Sequence, residues 1–217
     1  MFLRATKKDP DFDEEAHKLF RSLNLDPSRG SGYNPLDPIF RDSVSGGTVF
    51  VGNQTAASNR TMLDSHKITH VVNCTDNMAN FHEAGTRGAM LGFGVGPGRP
   101  PLTYYRFNIS YWFRHVDGSD DSVLAFLRPL FEFVDSAVAS GAPVLVHCLA
   151  GAHRAGTTGC LLLMYKAEMD TQTAIASAKK LRPAINPIGS LPELLMRYER
   201  AHKKPTPRAV KAVTAAG

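Results

Sequence analysis

The chain of 217 residues is long enough for one domain of ordinary size with extensions, and 43% hydrophobic and 21% charged residues can build a globular core. It contains no stretch of about 18 apolar residues, and its first residues lack the pattern of a secretory signal, so we expect neither a membrane span nor secretion. Three cysteines are too few for a disulfide framework and favour a reducing compartment. We therefore expect a cytoplasmic location, with the nucleus as a second option.

The formal net charge of +5 is concentrated near the C-terminus. Four basic residues lie there in a segment rich in proline and alanine: Lys203, Lys204, Arg208 and Lys211. Nucleic-acid binding needs a basic face on a folded surface, and the rest of the chain is nearly neutral. We expect no nucleic-acid partner and assign residues 203–217 to a basic flexible tail.

Residues 1–42 are assigned to an N-terminal extension. A short amphipathic helix is predicted near residues 11–23, because apolar side chains recur there at helical spacing. These side chains are Phe12, Ala16, Leu19, Phe20 and Leu23. The segment that follows is rich in glycine and proline and predicts a loop that includes Pro35 and Pro38.

Residues 43–202 alternate between strand and helix patterns. The predicted strands are 49–51, 68–72, 104–109 and 143–146. The predicted helices are 58–65, 122–138 with Pro129 as a bend or first turn, 157–167, one from Asp170 or Thr171 to Pro183, and one that opens on a Ser190–Glu193 capping box. A loop rich in glycine and proline is predicted at 85–101. This alternation predicts an α/β fold with a mostly parallel central sheet flanked by helices.

The segment after the strand at 143–146 carries the chemistry. There His147 and Cys148 precede a loop of small residues and then a helix, an arrangement that directs backbone N–H groups and the positive end of a helix at an anion. Such surroundings stabilise a cysteine thiolate. Arg154 follows six residues later, where its planar fork can bind two phosphate oxygens, and Gly151 supplies a tight turn.

We therefore take Cys148 as a nucleophile and Arg154 as the phosphate-binding cation. The alternative is a buried structural cysteine with Arg154 on the surface, but the coincidence of Cys, Gly and Arg with the flanking strand and helix disfavours it. The predicted substrate-binding residues form one continuous loop: Leu149, Ala150, Gly151, Ala152, His153 and Arg154.

The motif His-Cys-x-x-Gly-x-x-Arg resembles the signature of the protein tyrosine phosphatases, and the chain from about 44 to 202 resembles their dual-specificity branch. The similar segments are TVFVGNQTAA at 48–57, KITHVVNCT at 67–75 and VLVHCLAG at 144–151. The resemblance implies hydrolysis of phosphotyrosine and phosphoserine/threonine in phosphorylated proteins through a cysteinyl-phosphate, with no cofactor and no metal. The same mechanism on a phosphoglucan, an inositol lipid or an RNA end is an alternative, as is a slow or inactive phosphate-binding docking protein.

Ester cleavage also needs an acid to protonate the leaving oxygen. The candidates are Asp117, Asp120 and Asp121. In the family this aspartate lies just before the helix that leads into the catalytic strand. The ungapped spacing of 31 residues to Cys148 then favours Asp117.

Two positions depart from the family pattern. The family usually has Ser or Thr directly after the arginine, where its hydroxyl assists release of the thiolate, but this chain has Ala155. We expect slower turnover unless Thr157 or Thr158 substitutes. His153 replaces the usual Ser or Gly; a spectator role is favoured over added positive charge. His147 is expected to form a hydrogen bond within the loop.

Two further features are open. Residues 111–116 form an insertion rich in aromatic residues, which either packs the loop or forms a wall of the substrate cleft.

Cys74 follows the second predicted strand, and the phosphatases of regenerating liver resemble this chain in carrying a cysteine there that can pair with the nucleophile. Cys74 is therefore a candidate redox partner, with a buried core residue as the alternative.

Overall fold

A computed structural model describes residues 9–22, 33–83 and 101–203. In these residues a five-stranded sheet has the order β1-β2-β5-β3-β4. The strands are β1 (Leu36–Arg41), β2 (Thr48–Gly52), β3 (His70–Asn73), β4 (Thr103–Arg106) and β5 (Val144–His147). Only β1 is antiparallel to its neighbour, and the other pairings are parallel. The sheet is therefore mostly parallel, as the sequence predicts.

Helices cover both faces of this sheet. They are α1 (Phe12–Ser22), α2 (Gln54–Ser58), α3 (Arg60–Ser65), α4 (Asp120–Ala139), α5 (Arg154–Lys166), α6 (Thr171–Leu181) and α7 (Leu191–Lys203), with a 3-10 helix at Ile109–Arg114. The α/β fold class predicted from the sequence is confirmed.

The central strand β5 shows why the core has two halves. Val144 and Val146 pack into the large cluster that includes α4 to α7, whereas Leu145 between them packs against α2 and α3. Successive side chains of a strand point to opposite faces of its sheet. Because both faces are covered by helices, all three side chains are fully buried and the strand is apolar throughout.

The predicted loop around Pro38 is wrong. Pro38 lies in β1, at an edge of the sheet and beside a register shift between Pro38 and Phe40. Proline lacks a backbone N–H, so it is tolerated on edge strands and at bulges, and the proline signal did not exclude a strand here. Residues 36–41 of the predicted extension thus belong to the sheet.

Three helices differ in detail from the prediction. The helix predicted at 58–65 is two short helices, because Asn59 ends α2 and its side chain accepts from the N–H of Met62 to cap α3. Pro129 lies inside α4 and not in its first turn. At the start of α7 the Ser190 N–H, which a capping box would pair with Glu193, donates instead to Asp9 at 2.8 Å. The N-terminal segment therefore contacts the start of the last helix.

Some predictions lie outside this description. They are the loop at 85–100, Leu23 of the amphipathic helix, and the tail beyond Lys203. Among the described residues, no helix is both long and apolar enough to cross a membrane.

Candidate active site

Cys148 lies directly after β5, and Arg154 begins α5. Residues 148–153 between them are called the phosphate loop from here on. Both functional side chains are buried: Cys148 is 2% exposed and Arg154 is 4% exposed. The central strand and the helix behind it therefore hold the predicted nucleophile and cation at one carboxyl end of the parallel sheet, where ligands bind in open α/β folds.

Four carbonyl groups of the phosphate loop, those of residues 149–152, are held by groups outside it. Leu149 O accepts from Gln54 N at 3.0 Å, Ala150 O from Tyr33 OH at 2.6 Å and Arg182 Nη2 at 3.4 Å, Gly151 O from Arg182 Nε at 2.9 Å, and Ala152 O from Asn186 N at 3.0 Å. In a trans peptide the C=O and the following N–H point in opposite directions. Drawing four carbonyls outward therefore turns the N–H groups of residues 150–153 inward, which forms a cradle for an anion.

Gly151 is required by this turn for two reasons. Its φ is +65°, a left-handed conformation that glycine adopts without cost. A Cβ at this position would also lie 2.4 Å from Gly52 O and 2.9 Å from Arg182 Nη2. The glycine predicted from the sequence is thus needed both for the turn and for the close approach of β2.

Arg182 connects the phosphate loop to the N-terminal half of the chain. Its side chain is 1% exposed, and besides the loop carbonyls it donates to Asn34 O at 2.9 Å and to Asp37 Oδ2 at 2.6 Å. The Tyr33 ring lies 4.7 Å from its guanidinium carbon. Burial raises the pKa of Tyr33 to about 12, so its hydroxyl stays protonated and can donate to Ala150 O. One buried cation thus sets the shape of the loop.

Arg154 is occupied by a carboxylate. Its Nη2 donates to Asp13 Oδ1 from α1, and its guanidinium lies 5.6 Å from the Phe12 ring. Its Nε is buried and has no hydrogen-bond partner within the described residues. Burial acts to lower the pKa of Arg154, but the charges of Cys148, Asp13 and Asp76 outweigh it and raise that pKa. The arginine therefore stays cationic.

The two histidines of this region are buried and differ in their contacts. His153 Nδ1 lies 2.7 Å from Asn186 O, which requires a proton on Nδ1, and the ring helps to fasten the loop. Burial lowers the pKa of His147 to about 3, so His147 is neutral at physiological pH. Its ring nitrogens have no partner at hydrogen-bond geometry in the described part of the chain. The Cys148 backbone nevertheless acts to raise this pKa against the effect of burial, so the hydrogen bond within the loop stays a prediction.

Neither threonine hydroxyl of α5 is free to replace the missing hydroxyl at Ala155. Thr157 Oγ1 donates to His153 O at 2.7 Å, and Thr158 Oγ1 donates to Arg154 O at 3.0 Å. Both hydroxyl protons are thus bound to the backbone one turn earlier. The position after Arg154 therefore has no hydroxyl of its own, and neither threonine hydroxyl of α5 replaces it.

Asp117 lies in the turn before α4 and is exposed. Its Oδ1 accepts from Ser119 Oγ at 2.6 Å and from Ser119 N at 2.7 Å. The hydrogen bonds from Ser119 lower the pKa of Asp117 to about 2. Its carbonyl accepts from Arg197, which anchors the turn. As an acid, Asp117 stays a prediction, since this hydrogen bonding favours its ionised form.

The open cavity beside Asp117 has a volume of about 570 Å³ and contains no phosphate-loop residue. It is lined by Phe113, Val116, Asp117, Gly118, Glu193, Met196, Arg197 and Arg200. The alternative acid Asp120 pairs with Arg200 at 3.1 Å. In this conformation the turn that carries Asp117 thus faces α7.

The aromatic side chains of the insertion at 111–116 fall into two groups, one packed in the core and one exposed. Trp112 is 1% exposed, packs in the main core and donates from Nε1 to Ser190 Oγ at 3.0 Å. Tyr111 and Phe113 are exposed, and Phe113 lines the cavity beside Asp117. One aromatic side chain is therefore structural, and two remain on the surface.

Cys74 lies beside the start of the phosphate loop. Asn73 pairs with His147 across β3 and β5, and Cys74 N donates to His147 O at 2.8 Å. Adjacent strands are about 4.8 Å apart, within the Cα separation of disulfides. However, Cys74 is fully buried, its Sγ lies 3.4 Å from Thr158 Oγ1, and burial raises its pKa. Its redox role stays a prediction that requires local opening.

Three residues of the site were not identified from the sequence: Asp13, Asp76 and Arg182. Asp13 belongs to the first turn of a predicted helix, but nothing in that pattern indicates its contact with Arg154, 141 residues away. Asp76 follows β3, as Cys148 follows β5, and the parallel pairing of these strands was the available signal. Arg182 ends α6 next to a proline and carried no recognisable signal.

Comparisons with known proteins agree on one family. The family model described as the dual specificity phosphatase catalytic domain matches residues 49–201. Dual specificity protein phosphatase 19 of Mus musculus is 28% identical over 180 residues, which cover 82% of this chain and 72% of that protein. Dual specificity protein phosphatase 1 of Arabidopsis thaliana is 26% identical over 153 residues, 70% of this chain and 66% of that protein. Human DUSP28 shares the fold, with a TM-score of 0.57 at 22% identity over 79% of this chain and 97% of that one.

We predict that Arg182→Met lowers the free energy of unfolding by about 3–5 kcal/mol, because it breaks a buried ion pair and removes the donor of Asp37 Oδ2 and of Gly151 O. Arg200→Met is the matched control, since the Arg200 side chain is 56% exposed in its pair with Asp120 and its loss is expected to cost at most about 1 kcal/mol. Urea denaturation of both variants measures the difference. Equal losses would contradict the anchoring role of Arg182.

Proposed function

The chain belongs to the dual-specificity phosphatase family, and on that premise we propose that it hydrolyses phosphotyrosine and phosphoserine/threonine in proteins through a phosphocysteine intermediate. The family match itself supports a phosphatase. The proposal of a phosphocysteine rests on the phosphate loop. The observation that carries it is the buried pair of Cys148 and Arg154 at the two ends of a loop whose N–H groups turn inward.

The geometry supports a two-step displacement. In the first step the Cys148 thiolate attacks phosphorus, the Sγ–P bond forms, and the P–O bond to the leaving group breaks as that oxygen takes a proton from an acid. In the second step water attacks phosphorus and passes a proton to the carboxylate that the first step left ionised, the Sγ–P bond breaks, and the Cys148 thiolate and inorganic phosphate are released. The loop N–H groups and Arg154 stabilise the charge on the non-bridging oxygens in both steps.

The side chains of the loop favour a single phosphate group. Leu149, Ala150, Gly151 and Ala152 are uncharged, and His153 uses one nitrogen to hold Asn186. Arg154 is therefore the fixed cation that the loop offers to a substrate. A headgroup with several phosphates gains little here, which supports a phosphorylated side chain of a protein as the substrate.

The test compares the parent protein with Cys148→Ser and Arg154→Ala on an aryl phosphate. Cys148→Ser is expected to abolish turnover, because an alkoxide is too basic to form at neutral pH, and Arg154→Ala is expected to cost roughly 10²–10³ in kcat/KM, as does loss of one oxyanion donor. Substantial activity in Cys148→Ser would exclude the phosphocysteine mechanism. The parent is then assayed on phosphopeptides, phosphoglucan and inositol phosphates; preference for either of the last two would contradict the protein substrate.

If Asp117 supplies the proton, activity depends on its protonated form. The Ser119 hydrogen bonds favour the ionised form, so Ser119→Ala is expected to raise the pKa of Asp117 toward its ordinary value of about 3.9. The descending limb of kcat/KM against pH then moves to higher pH, by less than the full shift because the Ser119 N–H still donates to Asp117, and Asp117→Asn removes the limb. An unchanged limb in Ser119→Ala, with a loss of the limb in Asp120→Asn, would assign the acid to Asp120.

Because Thr157 and Thr158 donate to backbone carbonyls, we expect breakdown of the phosphocysteine to limit turnover. Rapid mixing with an aryl phosphate is expected to show a burst of alcohol close to one equivalent per site, and Ala155→Ser is expected to raise the steady-state rate and reduce the burst. Thr157→Ala serves as the control and is expected to leave the burst unchanged. A parent enzyme with no burst would contradict this rate-limiting step.

A further inference from the structure

We propose that α1 is an autoinhibitory cover of the active site, in which Asp13 occupies Arg154 in place of the substrate phosphate. The proposal rests on the proposed function in one respect, because it takes Arg154 as the residue that binds the substrate phosphate. Activity is then restrained until α1 moves away from the phosphate loop.

The apolar face of α1 is seated on the phosphate loop itself. Ala16 and Phe20 form one buried cluster with Ala150 and Ala152, and the four side chains are 2%, 8%, 1% and 0% exposed. Leu19, Tyr33, Leu149 and Ala184 pack against this cluster. Short amphipathic helices gain most of their stability from such packing. The helix is therefore held in place by the same loop that binds phosphate.

The N-terminal end of α1 is also fixed. Asp11 Oδ1 accepts from Asp13 N at 2.9 Å and from Glu14 N at 3.1 Å and so caps the helix. Asp9 accepts from both the backbone and the hydroxyl of Ser190, at 2.8 and 3.1 Å. Residues 9–22 thus extend from the start of α7 across the phosphate loop, with Asp13 over Arg154 between the two attachments.

Asp13 contacts a guanidinium N–H donor of Arg154 that an oxyanion would also bind. A guanidinium binds two oxygens most strongly through a pair of adjacent N–H donors. Asp13 takes Nη2, whereas the adjacent Nε is buried and without a partner within the described residues. The Asp13 carboxylate thus pairs with one of these two adjacent guanidinium donors. A phosphate group, with more oxygens and a larger charge, can satisfy both donors.

Exposure makes this contact reversible. The Asp13 side chain is 49% exposed, so it returns to water at little cost, whereas Arg154 is 4% exposed and cannot follow it. A further acidic residue, Asp11, lies at the same end of α1, interacts with the charge of Arg154 and repels an approaching phosphate dianion. Withdrawal of α1 therefore removes both a competitor and a source of repulsion.

The experiment uses the full chain and the pair Asp13→Ala and Glu14→Ala. Both variants remove one negative charge from the first turn of α1, but Glu14 pairs with Lys18 and not with Arg154. Tungstate, an oxyanion that needs no turnover, is titrated calorimetrically into each variant in a Cys148→Ser background. The steady-state kinetics with an aryl phosphate are measured in the parent background.

Asp13→Ala is expected to bind tungstate about three- to tenfold more tightly and to lower KM by a similar factor with little change in kcat, given the worth of a half-exposed charged contact. Glu14→Ala is expected to stay within twofold of the parent. Equal effects of the two substitutions, or weaker tungstate binding in Asp13→Ala, would overturn the proposal; the second result would make Asp13 a residue that positions Arg154. Tighter tungstate binding without turnover in any variant would support the cover and contradict the proposed function.

A second variant tests the apolar packing of α1 on the phosphate loop without changing any charge. Phe20→Ala is expected to loosen α1 and to increase the rate at which iodoacetate alkylates Cys148, measured by mass spectrometry and suppressed by inorganic phosphate. Its effect and that of Asp13→Ala are expected not to add fully, because both act by releasing one helix. An alkylation rate equal to that of the parent would overturn the role of this packing.

Discussion

The hold of Arg182 on the carbonyl groups of the phosphate loop is the interaction on which the rest of the site depends. The loop can present N–H groups to an anion only if its carbonyls are drawn away, and Arg182 draws two of them. Burial of this cation is tolerated because Asp37 and Asn34 complete its set of partners. The segment that supplies those partners precedes the catalytic domain predicted from sequence, so the two parts form one structural unit.

Beside the loop that Arg182 holds, Arg154 must be both buried and provided with a partner for its charge. Arg154 is enclosed among apolar and backbone groups, which strengthens its attraction for an oxyanion. The same enclosure makes an unoccupied arginine unfavourable, and Asp13 from α1 meets part of that need. The turn that carries Asp117 faces α7 and is secured by Arg197, so in this arrangement the predicted acid and Arg154 both have partners within the chain.

The fold was predictable to the extent that its signals are local. The alternation of apolar strands and amphipathic helices predicted the parallel sheet, and the strand, loop and helix around Cys148 carry their own motif. Strand β1 was missed because its proline lies on an edge, where no backbone donor is needed. Arg182 and Asp13 were missed for another reason: they act on residues 31 and 141 positions away, and contacts of that kind leave no periodicity near either partner.

The tether between α1 and the phosphate loop has a consequence for how activity depends on substrate concentration. A carboxylate attached to the same chain competes at an effective concentration that is set by the geometry of the chain and does not change with dilution. Such a competitor raises the apparent KM of every substrate by the same factor, so it leaves the order of preference among substrates unchanged. Asp13 thereby lowers turnover most where substrate is scarce and has little effect at saturating substrate.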